Sequence, residues 1–194
     1  MDNYSMDPIL IPVPESFESS RLQIRSVLWG DGAAVHEAVR QSAAELSPWM
    51  PWAQRIPSVE ESEVSIRKSR LQFLERSDIR LLLFHKKTGQ LIGSSGLHRI
   101  DWQVRKFEIG YWVRTSFGGQ GYITEAVNAI ADFAIQELQA NRLEIRCDSR
   151  NTQSARVAER TGFTLEGILR NDKTDVQGDL RDTMVYSKVR GVEY

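Results

Sequence analysis

A chain of 194 residues, 41% hydrophobic and 26% charged, has the arithmetic of one soluble globular domain. At that length about 70% of the unfolded surface can be buried, so neither a disulfide nor a metal staple is needed. With 25 Lys+Arg against 26 Asp+Glu, one Cys and three His, the composition argues against a nucleic-acid binder, a disulfide framework or a Cys/His zinc site.

The charge is uneven. Residues 1–20 carry Asp2, Asp7, Glu15 and Glu18 without a basic residue, a local net of −4 that leaves +3 on the remainder. Together with Pro8, Pro12 and Pro14, this predicts an extended acidic arm over 1–19 ahead of a single domain over 20–194. The longest apolar run near the middle is Leu81-Leu82-Leu83-Phe84, far below the roughly 20 residues of a membrane span. No secretory signal is legible, so a cytoplasmic location is expected.

The strict alternation of Arg21 to Val27 predicts the first strand. Asp31 is placed to cap a helix to about Glu45, and Ser58 with Glu61 forms a capping box opening a second helix to about Arg76. Between them, Pro48 and Pro51 forbid regular helix around Trp49 and Trp52. A hairpin follows over 79–86 and 91–100, then a strand from about Val104 to Val113, antiparallel to its predecessor. After Gly118-Gly119-Gln120-Gly121 the period changes to 3.6, with Ile123, Ala126, Val127, Ile130, Ala134 and Leu138 on one helix face. A strand over 142–147, a short helix capped by Asn151 and ended by Gly162, and strands over 163–170 and 182–189 complete a mixed α/β domain.

The glycine loop between strand and helix carries the most chemistry. It brings backbone close to a ligand, and the helix start behind it offers unpaired N–H groups to an anion such as a diphosphate. It is neither a P-loop, for no Lys lies between Phe107 and Asp172, nor a dinucleotide fingerprint, which needs a parallel βαβ unit.

Glu108-Ile109-Gly110-Tyr111-Trp112-Val113 followed by Gly119-Gln120-Gly121-Tyr122-Ile123-Thr124-Glu125-Ala126 resembles the acyl-CoA-binding core of the GNAT superfamily of N-acetyltransferases. Asn151 to Ala155 and Thr161-Gly162-Phe163 are similar to its next block. Trp49-Met50-Pro51-Trp52 and Glu166 to Arg170 resemble the Rim-type branch, whose members acetylate the N-terminal amine of ribosomal proteins. One departure is Ser116, where the superfamily loop usually has Gln or Arg.

The resemblance implies a mostly antiparallel sheet of six to seven strands, splayed after the strand ending at Val113 and flanked by about four helices. It implies acetyl-CoA as co-substrate with no metal, and a primary amine as acceptor. Tyr111, Trp112 and Val113 would hold the pantetheine arm, Gly119, Gln120, Gly121, Tyr122, Ile123 and Thr124 the diphosphate, and Asn151 would touch the pantetheine. Glu108 matches the base, acting directly or through water, and Ser154 the donor to the departing thiolate. Trp49 and Trp52 would wall the acceptor site. His98 is a second candidate base beside that site, and Cys147 reads as a buried structural thiol.

Magnitudes favour one acceptor class. At pH 7 an α-amine of pKa about 7.8 is roughly one-tenth neutral, whereas a lysine of pKa about 10.4 is neutral to only a few parts in ten thousand. One modestly tuned base suits the former. The expectation is transfer to a protein N-terminus, with a small-amine acetyltransferase and a non-catalytic acyl-CoA sensor as rivals. Monomer and homodimer both stay open.

Overall fold

The structure, a computed structural model, describes residues 7–194. The chain enters through a 3-10 turn at Pro8–Leu10, capped by the Asp7 carboxylate, which accepts from the Ile9 amide at 3.1 Å. β1 (Ser16–Glu18) then pairs antiparallel with β2 (Leu22–Ser26). The sheet therefore begins before Arg21, where alternation predicts it. Three residues are too few to display a period, and the pairing comes from a tight return into β2. Val13, just ahead, is buried in the core, and Glu15 and Glu18 pair with Arg70 and Lys86 at 2.7 and 2.6 Å. The first six residues of the predicted arm lie outside the described residues.

Next come α1 (Gly32–Leu46), a 3-10 turn at Pro51–Ala53, and α2 (Val59–Glu75). The capping box at Ser58 and Glu61 forms as predicted. Asp31 precedes α1, but its side chain does not cap it; it accepts from the Leu28 amide and from Arg25. Glu63 of α2 caps α1 instead, accepting from the Gly30 and Gly32 amides. A Cβ at Gly32 would lie 2.5 Å from the Glu63 backbone, so this helix contact requires glycine.

The rest alternates strands and helices: β3 (Ile79–His85), β4 (Leu91–Asp101), β5 (Lys106–Val113), α3 (Tyr122–Gln136), β6 (Arg142–Asp148), α4 (Thr152–Arg160), β7 (Thr164–Thr174) and β8 (Leu180–Val189). Among the described residues eight strands form one sheet in the order β1-β2-β3-β4-β5-β6-β8-β7, one more than the upper expectation because β1 joins it. Every neighbouring pair is antiparallel except β5 and β6. That parallel pair joins only Lys106, Phe107 and Glu108 to Arg142, Leu143 and Glu144. From Ile109 onward β5 has no β6 partner, while β6 continues on β8 to Asp148. The sheet opens there into a V with Glu108 at its vertex.

The two faces differ in kind. Leu81, Leu83, Leu97, Phe107 and Ile109 point to the α3–α4 side and build the larger core with Ala126, Val127, Ile130 and Ala134. The opposite face, under α1 and α2, carries Arg80, Ser94, His98, Glu108 and Gly110 beside a smaller cluster around Val39, Ile66 and Trp112. Among the described residues no helix is long and apolar enough to cross a membrane.

Candidate active site

β5 runs directly into the glycine loop. After a 3-10 turn at Thr115–Phe117, Gly119 and Gly121 take φ of 71° and 79°, a left-handed backbone that L side chains rarely adopt. These two angles fold six consecutive amides, Gly119 to Thr124, ahead of the first α3 hydrogen bond, Glu125 N–H to Gly121 C=O. None of the six has a protein acceptor among the described residues. The α3 start adds the positive end of its dipole. Ser116 serves the loop through its carbonyl, which accepts from Gln120 Nε2 at 2.9 Å, so its short side chain leaves the turn intact.

Arg21 also belongs to this loop. Its Nη1 donates to the Gln120 carbonyl at 3.1 Å, its Nε pairs with Glu125 at 2.6 Å, and its guanidinium lies 4.1 Å from the Tyr122 ring centroid. Ser19 and the Arg21 amide also donate to Glu125. Local sequence reading misses Arg21, because its partners lie about a hundred positions away and only the β2–α3 contact joins them.

Inside the V, Tyr111 crosses from β5 to α4. Its hydroxyl donates to the Ser154 carbonyl at 3.1 Å and sits 3.0 Å from Ser154 Oγ. Burial pushes the Tyr111 phenol well above its ordinary range, so it keeps its proton. Cys147 lies beside Ser154; burial raises its thiol too, with the Ser154 hydroxyl pulling the other way. Asn151 caps α4, its Oδ1 accepting from the Ser154 amide at 3.1 Å.

On the other face a cavity of ≈ 520 Å³ opens between α1, α2 and strands β3 to β5. Trp52 and Trp112 wall it, their ring centroids 6.0 Å apart. Trp49 does not line it: its amide bonds back to Leu46, and after the turn at Pro51 only Trp52 borders the cavity, at its mouth, where it stays exposed. Tyr111 and His98 reach the cavity as well.

His98 and Glu108 sit opposite each other across β4 and β5. His98 Nδ1 lies 2.7 Å from Asp78 Oδ2, so an ionised Asp78 makes Nδ1 the donor and leaves Nε2 of the neutral ring as acceptor. The ring lies over Gly110, where an added Cβ would stand 3.0 Å from Cδ2 and 3.3 Å from Nε2. Glu108 is held differently. Its Oε2 is sealed from solvent, 3.2 Å from Arg99 and 3.7 Å from Arg146, without a geometrically sound hydrogen bond to either.

The chain matches the acetyltransferase (GNAT) domain over residues 21–164. It belongs to the GNAT family. As an N-acetyltransferase of that family, it is 32% identical over 173 residues to YdaF of Bacillus subtilis, provisionally named a ribosomal N-acetyltransferase, with 89% of this chain and 93% of the relative covered. It is 28% identical over 152 residues to the ribosomal-protein-serine acetyltransferase of Escherichia coli, covering 78% of this chain and 84% of that one. In three dimensions it is similar to RimL, a ribosomal L7/L12 α-N-protein acetyltransferase solved with coenzyme A. That match has a TM-score of 0.82 at 27% identity, over 92% of this chain and 97% of that one.

Within this GNAT fold, the residues singled out from sequence fall into two groups on either side of β5. The loop residues Gly119 to Thr124, with Asn151, Ser154 and Tyr111, lie on the α3–α4 side. Trp52, His98, Trp112 and Glu108 lie on the α1–α2 side. Asp78, which orients His98, and Arg80 on the cavity face carry no motif that marks them in sequence.

Proposed function

We propose that this GNAT enzyme transfers acetyl from acetyl-CoA to the α-amine of a protein N-terminus by direct attack. The observation that carries the reading is the unpaired edge of β5. It runs from the vertex at Glu108 to Val113, leads directly into the free amides at Gly119 to Thr124, and is backed by the cavity on the α1–α2 side. An extended pantetheine fits such an edge as an added strand does, and a diphosphate fits the amides. The RimL relative was solved with coenzyme A, and the Escherichia coli relative is named for a ribosomal-protein serine; both support the reading.

In the proposed reaction the neutral amine attacks the thioester carbonyl, a C–N bond forms, and the C–S bond then breaks. One proton leaves the nitrogen and one must reach the sulfur. Geometry favours His98 over Glu108 as the group that takes the first. His98 lines the cavity with Nε2 available and Nδ1 anchored by Asp78, whereas Glu108 is not among the cavity's lining residues and its Oε2 is sealed between Arg99 and Arg146. Glu108 then helps hold Arg99 and Arg146 at the vertex. The paired hydroxyls of Tyr111 and Ser154 supply the second proton; burial keeps the Tyr111 phenol protonated at working pH.

The test is a panel of acceptors scored by released CoA thiol: peptides beginning Ser, Ala or Met, beside a polyamine and an amino sugar. Peptides should react. Turnover confined to the small amines would end the N-terminus reading, and coenzyme binding without any turnover would make the protein a sensor. With a reactive peptide, His98→Gln is expected to lower kcat by about 100-fold or more while acetyl-CoA affinity is retained, and Glu108→Gln by less than about tenfold. The reverse order would return the base to Glu108.

A further inference from the structure

The cavity contains a cation that the steps above do not use. Arg80 rises from β3 into the space walled by Trp52 and Trp112, where it is half-buried. Among the described residues only serines hold it. Its Nε reaches Ser94 Oγ at 3.5 Å, and Nη1 reaches Ser65 and Ser69 Oγ at 3.1 and 3.5 Å. Nη2 donates to no described residue, and no described carboxylate lies within 4.0 Å of the guanidinium.

The acidic groups around it are engaged elsewhere. Asp78 accepts from His98, and Asp31 is bound bidentately by Arg25 at 2.8 Å on both oxygens. Glu61, on the cavity rim, is taken by Arg55 and the Ser58 amide. Serine hydroxyls satisfy donors but neutralise no charge. A guanidinium removed from water without a counter-charge is costly, and its partly free fork matches a carboxylate. Burial accordingly draws the Arg80 pKa below its ordinary value.

We propose that Arg80 binds a carboxylate carried a few bonds from the reactive amine, making this an acetyltransferase for acid-bearing acceptors. The inference rests on the acceptor occupying this cavity, as in the reading above. Arg80 pairs in register with Gly96, so His98 lies one diagonal step away on the same face, about 7–8 Å between backbone positions. That separation suits an amine at His98 and an acidic side chain on the next residue. A cavity of ≈ 520 Å³ also holds more than one amino acid, which favours the peptide side chain over a free amino acid as the carboxylate's source.

Two matched acceptor pairs test it: Ser-Asp-Ala-amide against Ser-Asn-Ala-amide, and serine against serinamide. Wild-type enzyme should favour the Asp peptide by about tenfold or more in kcat/KM, expressed in KM. Arg80→Gln should erase that ratio, and Arg80→Lys should restore part of it. Equal wild-type rates on the two peptides, with serine no better than serinamide, would overturn the proposal while leaving N-terminal acetylation standing. Preference for serine alone would keep Arg80 as the carboxylate site but assign it to small amino acids, ending the N-terminus reading.

If no acceptor turns over, thermal shifts with the N-acetyl forms of the same four compounds decide the matter. Stabilisation of the wild type by the acid member of either pair, absent in Arg80→Gln, supports the site. No difference within either pair overturns it. Should Arg80→Gln fail to fold, the wild-type ratios and shifts are sufficient.

Discussion

Gly121 shows how one backbone angle governs a ligand site. Added side-chain volume has room there, since a Cβ would come no closer than 3.6 Å to Arg21 Nη2. The constraint is φ of 79°, which a β-branched residue adopts only under strain. Gly121→Val should therefore displace the unpaired Gly119–Thr124 amides and cost at least about tenfold in CoA affinity, with the core intact. Calorimetric titration with CoA beside a far-UV spectrum measures both; unchanged affinity would remove the loop from cofactor binding. At this scale the sequence was a partial guide. The loop glycines, Glu108 and Ser154 stood in recognisable blocks. Asp78 did not, because orienting a histidine twenty residues away leaves no local pattern. Trp49 and Trp52 looked equivalent, and only the turn at Pro51 separates them.

Among the elements, the β7–β8 hairpin departs most from its sequence pattern. It runs over Thr164–Thr174 and Leu180–Val189, several residues beyond the predicted strands, and nearly every β7 residue is exposed. An edge strand without a buried face shows no alternation, so its length could not be read. What secures its tip is ionic. Asp148, at the end of β6, accepts from the Arg150 amide and side chain and from Arg181 of β8, while Arg150 also reaches Asp175 in the hairpin at 3.1 Å. Burial alone would raise the Asp148 carboxyl, but these donors outweigh it and hold the pKa at about 2. Because the folded value lies below the unfolded one, the stabilisation is complete above about pH 5 and is lost as pH falls through about 2. Asp148 contributes about 2 kcal/mol by this linkage. Asp148→Asn should lower Tm at pH 7 by about 4–8 °C and flatten the loss of stability between pH 4.5 and 2. Urea titrations across that range provide the check, and a variant whose stability parallels the wild type there would refute the tie.

Across the whole molecule, the sheet divides its duties by face. The α3–α4 side is an apolar core of leucine, isoleucine, phenylalanine and alanine, and it was legible because its periods of 2 and 3.6 repeat over many residues. The α1–α2 side mixes Arg80, Ser94, His98 and Glu108 with glycines that make room for the imidazole, and there alternation predicts the face but not the contacts. The eighth strand and the docking of Glu15 and Glu18 onto Arg70 and Lys86 were hidden for a related reason: short edge pairings and surface ion pairs depend on distant partners.

The three-pair junction of β5 with β6 also has a mechanical meaning. Among the described residues, it and the Asn141 and Arg142 amides donating to the Arg105 carbonyl beside it make up the backbone stitching between two half-sheets, β1 to β5 and β6 with β8 and β7. A seam that short can part without either half unravelling, so the halves should behave as separate cooperative units. Native-state hydrogen exchange is expected to give β6 and β8 a common opening free energy distinct from that of β3 and β4, and CoA should draw the two values together. A single value for both halves would mean that the helices, rather than the strands, hold the hinge shut.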